Sequence, residues 1–163
     1  RHVFTSSSCG VCGKATITSV FQHFPPVAST FVPSPDLLLS LPMKLREAQE
    51  TFDRTGGLHA SALFSATGEL LLLREDVGRH NALDKVIGHA LRHDISLSGV
   101  ILLVSGRVSF ELMQKSLAAR IPVVAGISAP SSLAVKLARE SGQTLVGFLR
   151  DKGFNVYAGE VSG

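Results

Sequence analysis

The first chemistry in the chain is sulfur chemistry. Cys9 and Cys12 lie three residues apart in Ser8-Cys9-Gly10-Val11-Cys12-Gly13, and they are the only two cysteines of the sequence. Flanking glycines and serines make an accessible loop on which one thiolate attacks an incoming sulfur while the other stands within reach. Such a pair is equally half of a zinc site, or a chance spacing. With no second pair in the chain, a four-cysteine zinc site is excluded.

Other segments suit an anion. The run Arg74-Glu75-Asp76-Val77-Gly78-Arg79-His80-Asn81 falls between a predicted strand end and a helix start, where free backbone N–H groups and the helix dipole favour negative charge. Arg79 and His80 add donors there; the alternative is a solvated rim on which Arg74, Glu75, Asp76 and Arg79 pair with one another. Ser105-Gly106-Arg107-Val108-Ser109-Phe110-Glu111 occupies the same kind of position, the place where ligands enter open α/β sheets. Arg107 and Ser109 suit phosphate oxygens, or Ser109 is simply an N-cap and Glu111 a first-turn charge. Ala129-Pro130-Ser131-Ser132 and the turn Phe148-Leu149-Arg150-Asp151-Lys152-Gly153 complete the set. Neither carries the longer glycine signature of a dinucleotide-binding turn or a Walker loop, so a surface cap and a hairpin loop are their local readings.

The elements that must position these residues follow from periodicity. Pro25-Pro26 and Pro33 predict an irregular loop over 1–33. Ser40 as a cap, Pro42 in the first turn, the spacing of Leu41, Leu45, Ala48 and Phe52, and the stop at Gly56-Gly57 predict a helix over about 41–54. Residues 58–65 and 69–75 read as strands joined by Ala66-Thr67-Gly68. Asn81 is expected to cap a helix presenting Leu83, Val86, Ile87, Ala90 and Leu91 on one face, and the apolar run 99–105 is a central strand. A helix from Ser109 to Ala119, a strand over 122–127, a helix from Ser131 to Ser141 stopped by Gly142, and strands over 144–149 and 154–158 follow. This alternation predicts an α/β protein with a mixed sheet and helices on both faces.

With 163 residues the chain has the length of one domain, able to bury about 70% of the surface its unfolded form exposes. Apolar residues make up 45% and charged residues 18%, and no apolar run has the length of a membrane span. Arg1-His2-Val3-Phe4 shows no secretory signal, so a cytoplasmic, reducing setting is expected. A net charge of +3 and a pI near 9.1, with basic residues scattered, favour a phosphate-bearing small ligand over nucleic acid or a membrane.

Taken in order, the blocks Thr5 to Lys14, His59-Ala60-Ser61-Ala62-Leu63-Phe64, Arg74 to Lys85, Ser105-Gly106-Arg107, Ala129-Pro130-Ser131-Ser132 and Gly147-Phe148-Leu149-Arg150 resemble the formate dehydrogenase accessory family. The resemblance covers nearly the whole chain. It implies a sulfurtransferase that receives sulfur from a cysteine desulfurase as a persulfide and delivers it to the bis-molybdopterin guanine dinucleotide form of the molybdenum cofactor, for the activity of formate dehydrogenase. It also implies Cys9 as the persulfide carrier with Cys12 assisting, nucleotide binding by Phe148, Leu149, Arg150, Asp151, Lys152 and Gly153, and a homodimer; the strand-end positions of Arg79, Arg107 and Arg150 then lead us to expect phosphate contacts from these arginines in some combination. Family members carry a segment ahead of the cysteine loop, so this chain is expected to be the C-terminal portion, with a cysteine-bearing segment over 1–33 and an α/β domain over 34–163.

The family's fold is similar to that of cytidine deaminases, which implies a three-layer arrangement and makes a zinc hydrolase the rival. A zinc deaminase needs His-x-Glu and, further on, Pro-Cys-x-x-Cys. Here His59-Ala60-Ser61 lacks the carboxylate, the cysteines precede the histidine, and Ser8 stands where the proline belongs. No zinc is therefore expected, and a shared fold does not carry the activity. Two other classes remain open at this stage: a non-catalytic chaperone of the guanine dinucleotide cofactor, and a thiol-redox or metal-binding module.

Overall fold

The computed structural model describes residues 23–49 and 57–163. Residues 25–34 form no helix or strand, and this irregular stretch is strapped to the body by backbone bonds from Val27 N–H to the Ser141 carbonyl and from Ser162 N–H to the Pro33 carbonyl. Helix α1 (Pro35–Ala48) follows, then strands β1 (His59–Phe64) and β2 (Leu70–Asp76), helix α2 (Arg79–Arg92), strand β3 (Ile101–Val104) and helix α3 (Phe110–Ala118). Strand β4 (Val123–Gly126), helix α4 (Ser132–Ser141) and strands β5 (Thr144–Arg150) and β6 (Gly153–Ala158) complete it.

The strands form one sheet in the order β2-β1-β3-β4-β5-β6. The β3-β4 and β4-β5 pairs are parallel and the rest antiparallel, so the sheet is mixed. Its two faces are read directly from alternation along β3. Leu102 and Val104 belong to a core shared with Leu83 and Val86 of α2, Leu112 and Met113 of α3, and Leu137 of α4. Ile101 and Leu103 belong to the opposite core, with Leu38, Leu41 and Leu45 of α1. Three helices on one face and one on the other make three layers, as the alternation of elements required.

Helix α1 corrects the expectation of a helix over 41–54. It starts six residues earlier, because the Ser34 hydroxyl accepts from Leu37 N–H at 3.2 Å and Pro35 supplies the fixed φ of the first position. Ser40 is not a cap: its hydroxyl donates to the Leu37 carbonyl at 2.7 Å inside the helix. Pro42 therefore sits in the interior, where it has no N–H to give to the preceding turn. Burial of Leu38, Leu41 and Leu45 against the sheet offsets that loss.

Helix α2 is also corrected. Its N-cap is Gly78, which has no side chain to cap with, and Asn81 lies inside the helix with its amide donating back to Asp76 Oδ1 at 3.1 Å. Leu91, expected on the apolar face, is 69% exposed, whereas Leu83, Val86 and Ala90 are buried. The later elements fall within a residue or two of the expected bounds. Ser109 and Ser131 cap α3 and α4, and Gly142 ends α4 at φ +73°.

Candidate functional site

The carboxyl ends of the parallel strands β3, β4 and β5 open into a cavity of about 600 Å³. Ser105, Ile127 and Arg150, at or just beyond those three strand ends, line it, together with His59 at the start of the antiparallel neighbour β1. Helix α1 supplies the facing wall through Pro42, Met43, Leu45 and Arg46, with Gln49 at its end. This is the crevice in which open α/β sheets take ligands, and its volume lies in the range of small-molecule sites.

Leu149 reaches the cavity through a break in the β5-β6 ladder. The register shifts between Gly147 and Arg150, and Phe148 sits there at φ +52°, a left-handed backbone conformation that costs a side-chain-bearing residue roughly 1–2 kcal/mol. As a result Val146 and Leu149, three residues apart, face the same core, while Phe148 turns outward and is 44% exposed. Had alternation continued, Phe148 would have taken the inward position. The Arg150 guanidinium then donates to the Ile127 carbonyl and, at 3.2 Å, to the Leu149 carbonyl, which ties the end of β5 to the segment after β4.

Of the nucleotide-binding turn expected from the resemblance, Leu149, Arg150 and Asp151 line the cavity; Phe148, Lys152 and Gly153 do not. Arg79 and Arg107 also stand outside the lining. Arg107 is exposed, while Arg79 opens α2 beside Gly106: a Cβ on Gly106 would lie 3.1 Å from His59 Nδ1 and 3.6 Å from Arg79 Cδ. A glycine at this position lets the first residue of β1 and the first residue of α2 approach the same point. Arg79 Nε is buried there without a hydrogen-bond partner among the described residues, a state that proteins resolve with water or a ligand. Cys9 and Cys12 lie outside the described residues.

The acid–base groups around the α2 start are arranged differently from the mutual pairing that sequence suggested. Asp76 accepts from Gly78 N–H at 2.9 Å and from Asn81, and pairs with Lys85 at 2.6 Å, which holds its carboxyl at about 2, below its ordinary 3.8. Arg74 turns instead to His89 Nδ1, at 3.0 Å, and to the Leu73 carbonyl. His80 bridges two helix starts, its Nε2 lying 3.2 Å from Ser109 Oγ and 3.0 Å from Glu111 Oε2. Burial and the neighbouring Arg79 lower the His80 pKa and outweigh Glu111, which raises it, so the ring favours the neutral form at pH 7. Ser131 is an N-cap, accepting from Ala134 N–H at 3.1 Å.

Sequence reasoning missed Met43, Arg46, Gln49 and Ile127. Met43 and Arg46 lie on α1 and Gln49 caps its end, all within the stretch expected to be helical; what no local signal reports is that this helix faces the strand ends.

The sheet and its cavity define a three-layer α/β protein with a cavity of small-molecule size at the carboxyl ends of its parallel strands. A profile of the FdhD/NarQ family matches residues 1–162, and the chain belongs to that family. It is 59% identical to the sulfur carrier protein FdhD of Streptomyces avermitilis over 98% of this chain and 58% of that protein. It is 57% identical to that of Mycobacterium tuberculosis, over 96% of this chain and 58% of the relative. The chain thus spans somewhat under three-fifths of these relatives. A crystal structure of a putative formate dehydrogenase accessory protein from Desulfotalea psychrophila superposes with a TM-score of 0.77 at 28% identity, over 86% of this chain and 59% of that one.

Proposed function

We propose that this chain is the cysteine-bearing and cofactor-binding part of a sulfur carrier serving formate dehydrogenase. In this reading the Cys9 thiolate attacks the outer sulfur of a cysteine desulfurase persulfide. The donor S–S bond breaks, the donor leaves as a thiolate, and Cys9 holds the persulfide. The Cys12 thiolate then attacks Cys9 Sγ, the bond from Cys9 Sγ to the outer sulfur breaks, and that sulfur leaves at the sulfide level to the molybdenum of a bis-molybdopterin guanine dinucleotide, the substrate, while a Cys9–Cys12 disulfide forms and supplies the two electrons. Retention of the sulfur in a covalent carrier makes the chain a sulfurtransferase.

The observation that carries the reading is the cavity whose rim is the Leu149-Arg150-Asp151 turn. Its apolar walls suit a flat heterocycle, and Arg46 and Arg150 suit the diphosphate beside it. The unpartnered Arg79 Nε on the far side of Gly106 offers a further donor toward an anion. A cavity of about 600 Å³ is of the size that takes one nucleotide limb of the cofactor. The two limbs call for two cavities, which a homodimer supplies.

The test is the intact mass of the chain after incubation with a cysteine desulfurase and cysteine, without reductant, beside Cys9→Ala. A gain of about one sulfur atom, removed by reductant and absent from the variant, is expected. If Cys9→Ala takes up the sulfur equally well, or if a Cys9→Ala, Cys12→Ala double variant of the full-length protein still matures formate dehydrogenase, the carrier role is wrong and cofactor delivery alone is left.

A further inference from the structure

We propose that each delivered sulfur leaves Cys9 and Cys12 as a disulfide that an external dithiol reductant must reopen, so that a thiol–disulfide exchange follows every transfer. This rests on the carrier reading given above and adds the class of reaction that consumes its oxidised product. A desulfurase persulfide offers its outer sulfur at the zero-valent level, and delivery as sulfide needs two electrons more. The groups around the cavity do not hold that pair. Its polar lining is Arg46, Gln49, His59, Ser105, Arg150 and Asp151, none of them redox-active. The sulfur in its wall is the Met43 thioether, which yields two electrons by taking up an oxygen atom. Met113, the other methionine, is buried in the core on the opposite face of the sheet, where the single tyrosine, Tyr157, also packs; the chain has no tryptophan. Cys9 and Cys12 are the two thiols of the sequence, and together they carry one pair of electrons, enough for a single sulfur.

The oxidised pair has no thiolate at Cys9, so the next persulfide meets no nucleophile. Desulfurase turnover does not help, because it converts cysteine to alanine and releases no reducing equivalents. Reopening proceeds by exchange: a reductant thiolate attacks the disulfide, and one cysteine leaves as a thiolate. The reductant's second thiol then attacks the mixed disulfide, frees the other cysteine and closes the reductant's own disulfide. Two electrons and two protons have passed to Cys9 and Cys12. A monothiol lacks this second step. In its mixed disulfide the freed cysteine, separated from its neighbour by Gly10 and Val11, attacks intramolecularly and expels the monothiol before a second one arrives. The reductant is therefore a dithiol.

The test follows the thiols across one transfer. Full-length protein, loaded with sulfur on Cys9 and freed of desulfurase and cysteine, would be mixed with bis-molybdopterin guanine dinucleotide and cofactor-free formate dehydrogenase, then alkylated and weighed intact. Formate oxidation is expected to appear while the carrier loses its sulfur and ends with neither cysteine alkylated. Three portions, one untreated, one treated with glutathione and one with dithiothreitol at equal thiol concentration, would be desalted and given a desalted, sulfur-loaded desulfurase. Cys9 should reload after dithiothreitol at least about tenfold more than after glutathione, and not at all in the untreated portion. Two alkylated cysteines after a transfer that yields active enzyme overturn the inference, assign the electrons to molybdenum and leave the carrier reading standing. Equal reloading after glutathione overturns the dithiol requirement. Failure of Cys9 to take up sulfur at the first loading, or of formate oxidation to appear, overturns the carrier reading and the inference with it.

Discussion

Asp76 shows how one side chain can hold a strand-to-helix turn that lacks a capping side chain of its own. Gly78 caps α2 without a hydroxyl or amide, and Asp76 compensates by accepting from Gly78 N–H, Asn81 and Lys85 together. These bonds favour the charged carboxylate, so its folded pKa of about 2 lies below the unfolded value near 3.8. A carboxyl depressed in the folded state adds stability above the unfolded pKa and loses it as pH falls through the folded one. Denaturant unfolding followed from pH 5 to pH 2 is therefore expected to show a loss of stability between about pH 4 and pH 2 that is smaller in Asp76→Asn. A profile equally steep in the variant would place the acid sensitivity elsewhere.

At the scale of elements, α1 trades stability for shape. An interior proline costs a helix about 3 kcal/mol relative to alanine, yet Pro42 stands mid-helix and its ring forms part of the cavity wall. Pro42→Ala is expected to raise unfolding stability by up to about 3 kcal/mol in urea titrations while weakening GDP binding. A variant with unchanged stability would mean that the helix already bends around the ring at no cost. The bulge at Phe148 follows the same pattern: a left-handed residue re-aims Leu149 into the cavity, and strain of this kind gathers at functional sites.

At the scale of the whole molecule, the site depends on the two cores that clamp the sheet from opposite faces. Leu103, fully buried at the centre of β3, packs in the same core as Leu38, Leu41 and Leu45 of α1, so the cavity's helical wall is seated on it. Leu103→Ala should cost about 2–5 kcal/mol, measured by urea unfolding. A cost below about 1 kcal/mol would show that α1 closes onto the gap.

The order of elements, the mixed three-layer class and the caps Ser109, Ser131 and Gly142 were legible in the sequence, because hydrophobic periodicity and cap chemistry are local. So was the polar loop at Arg150-Asp151-Lys152-Gly153 that separates the last two strands. The start of α1 was not, since Pro42 mimics a first-turn proline and burial overrides the local signal. Nor was the company each polar residue keeps. Asp76 with Lys85, His80 with Ser109 and Glu111, and Arg150 with the Ile127 carbonyl all join residues brought together by packing. Sequence determined which groups were available and on which elements; tertiary structure decided which of them meet around one cavity, because strand order and register, set by long-range pairing, fix what stands at each strand end.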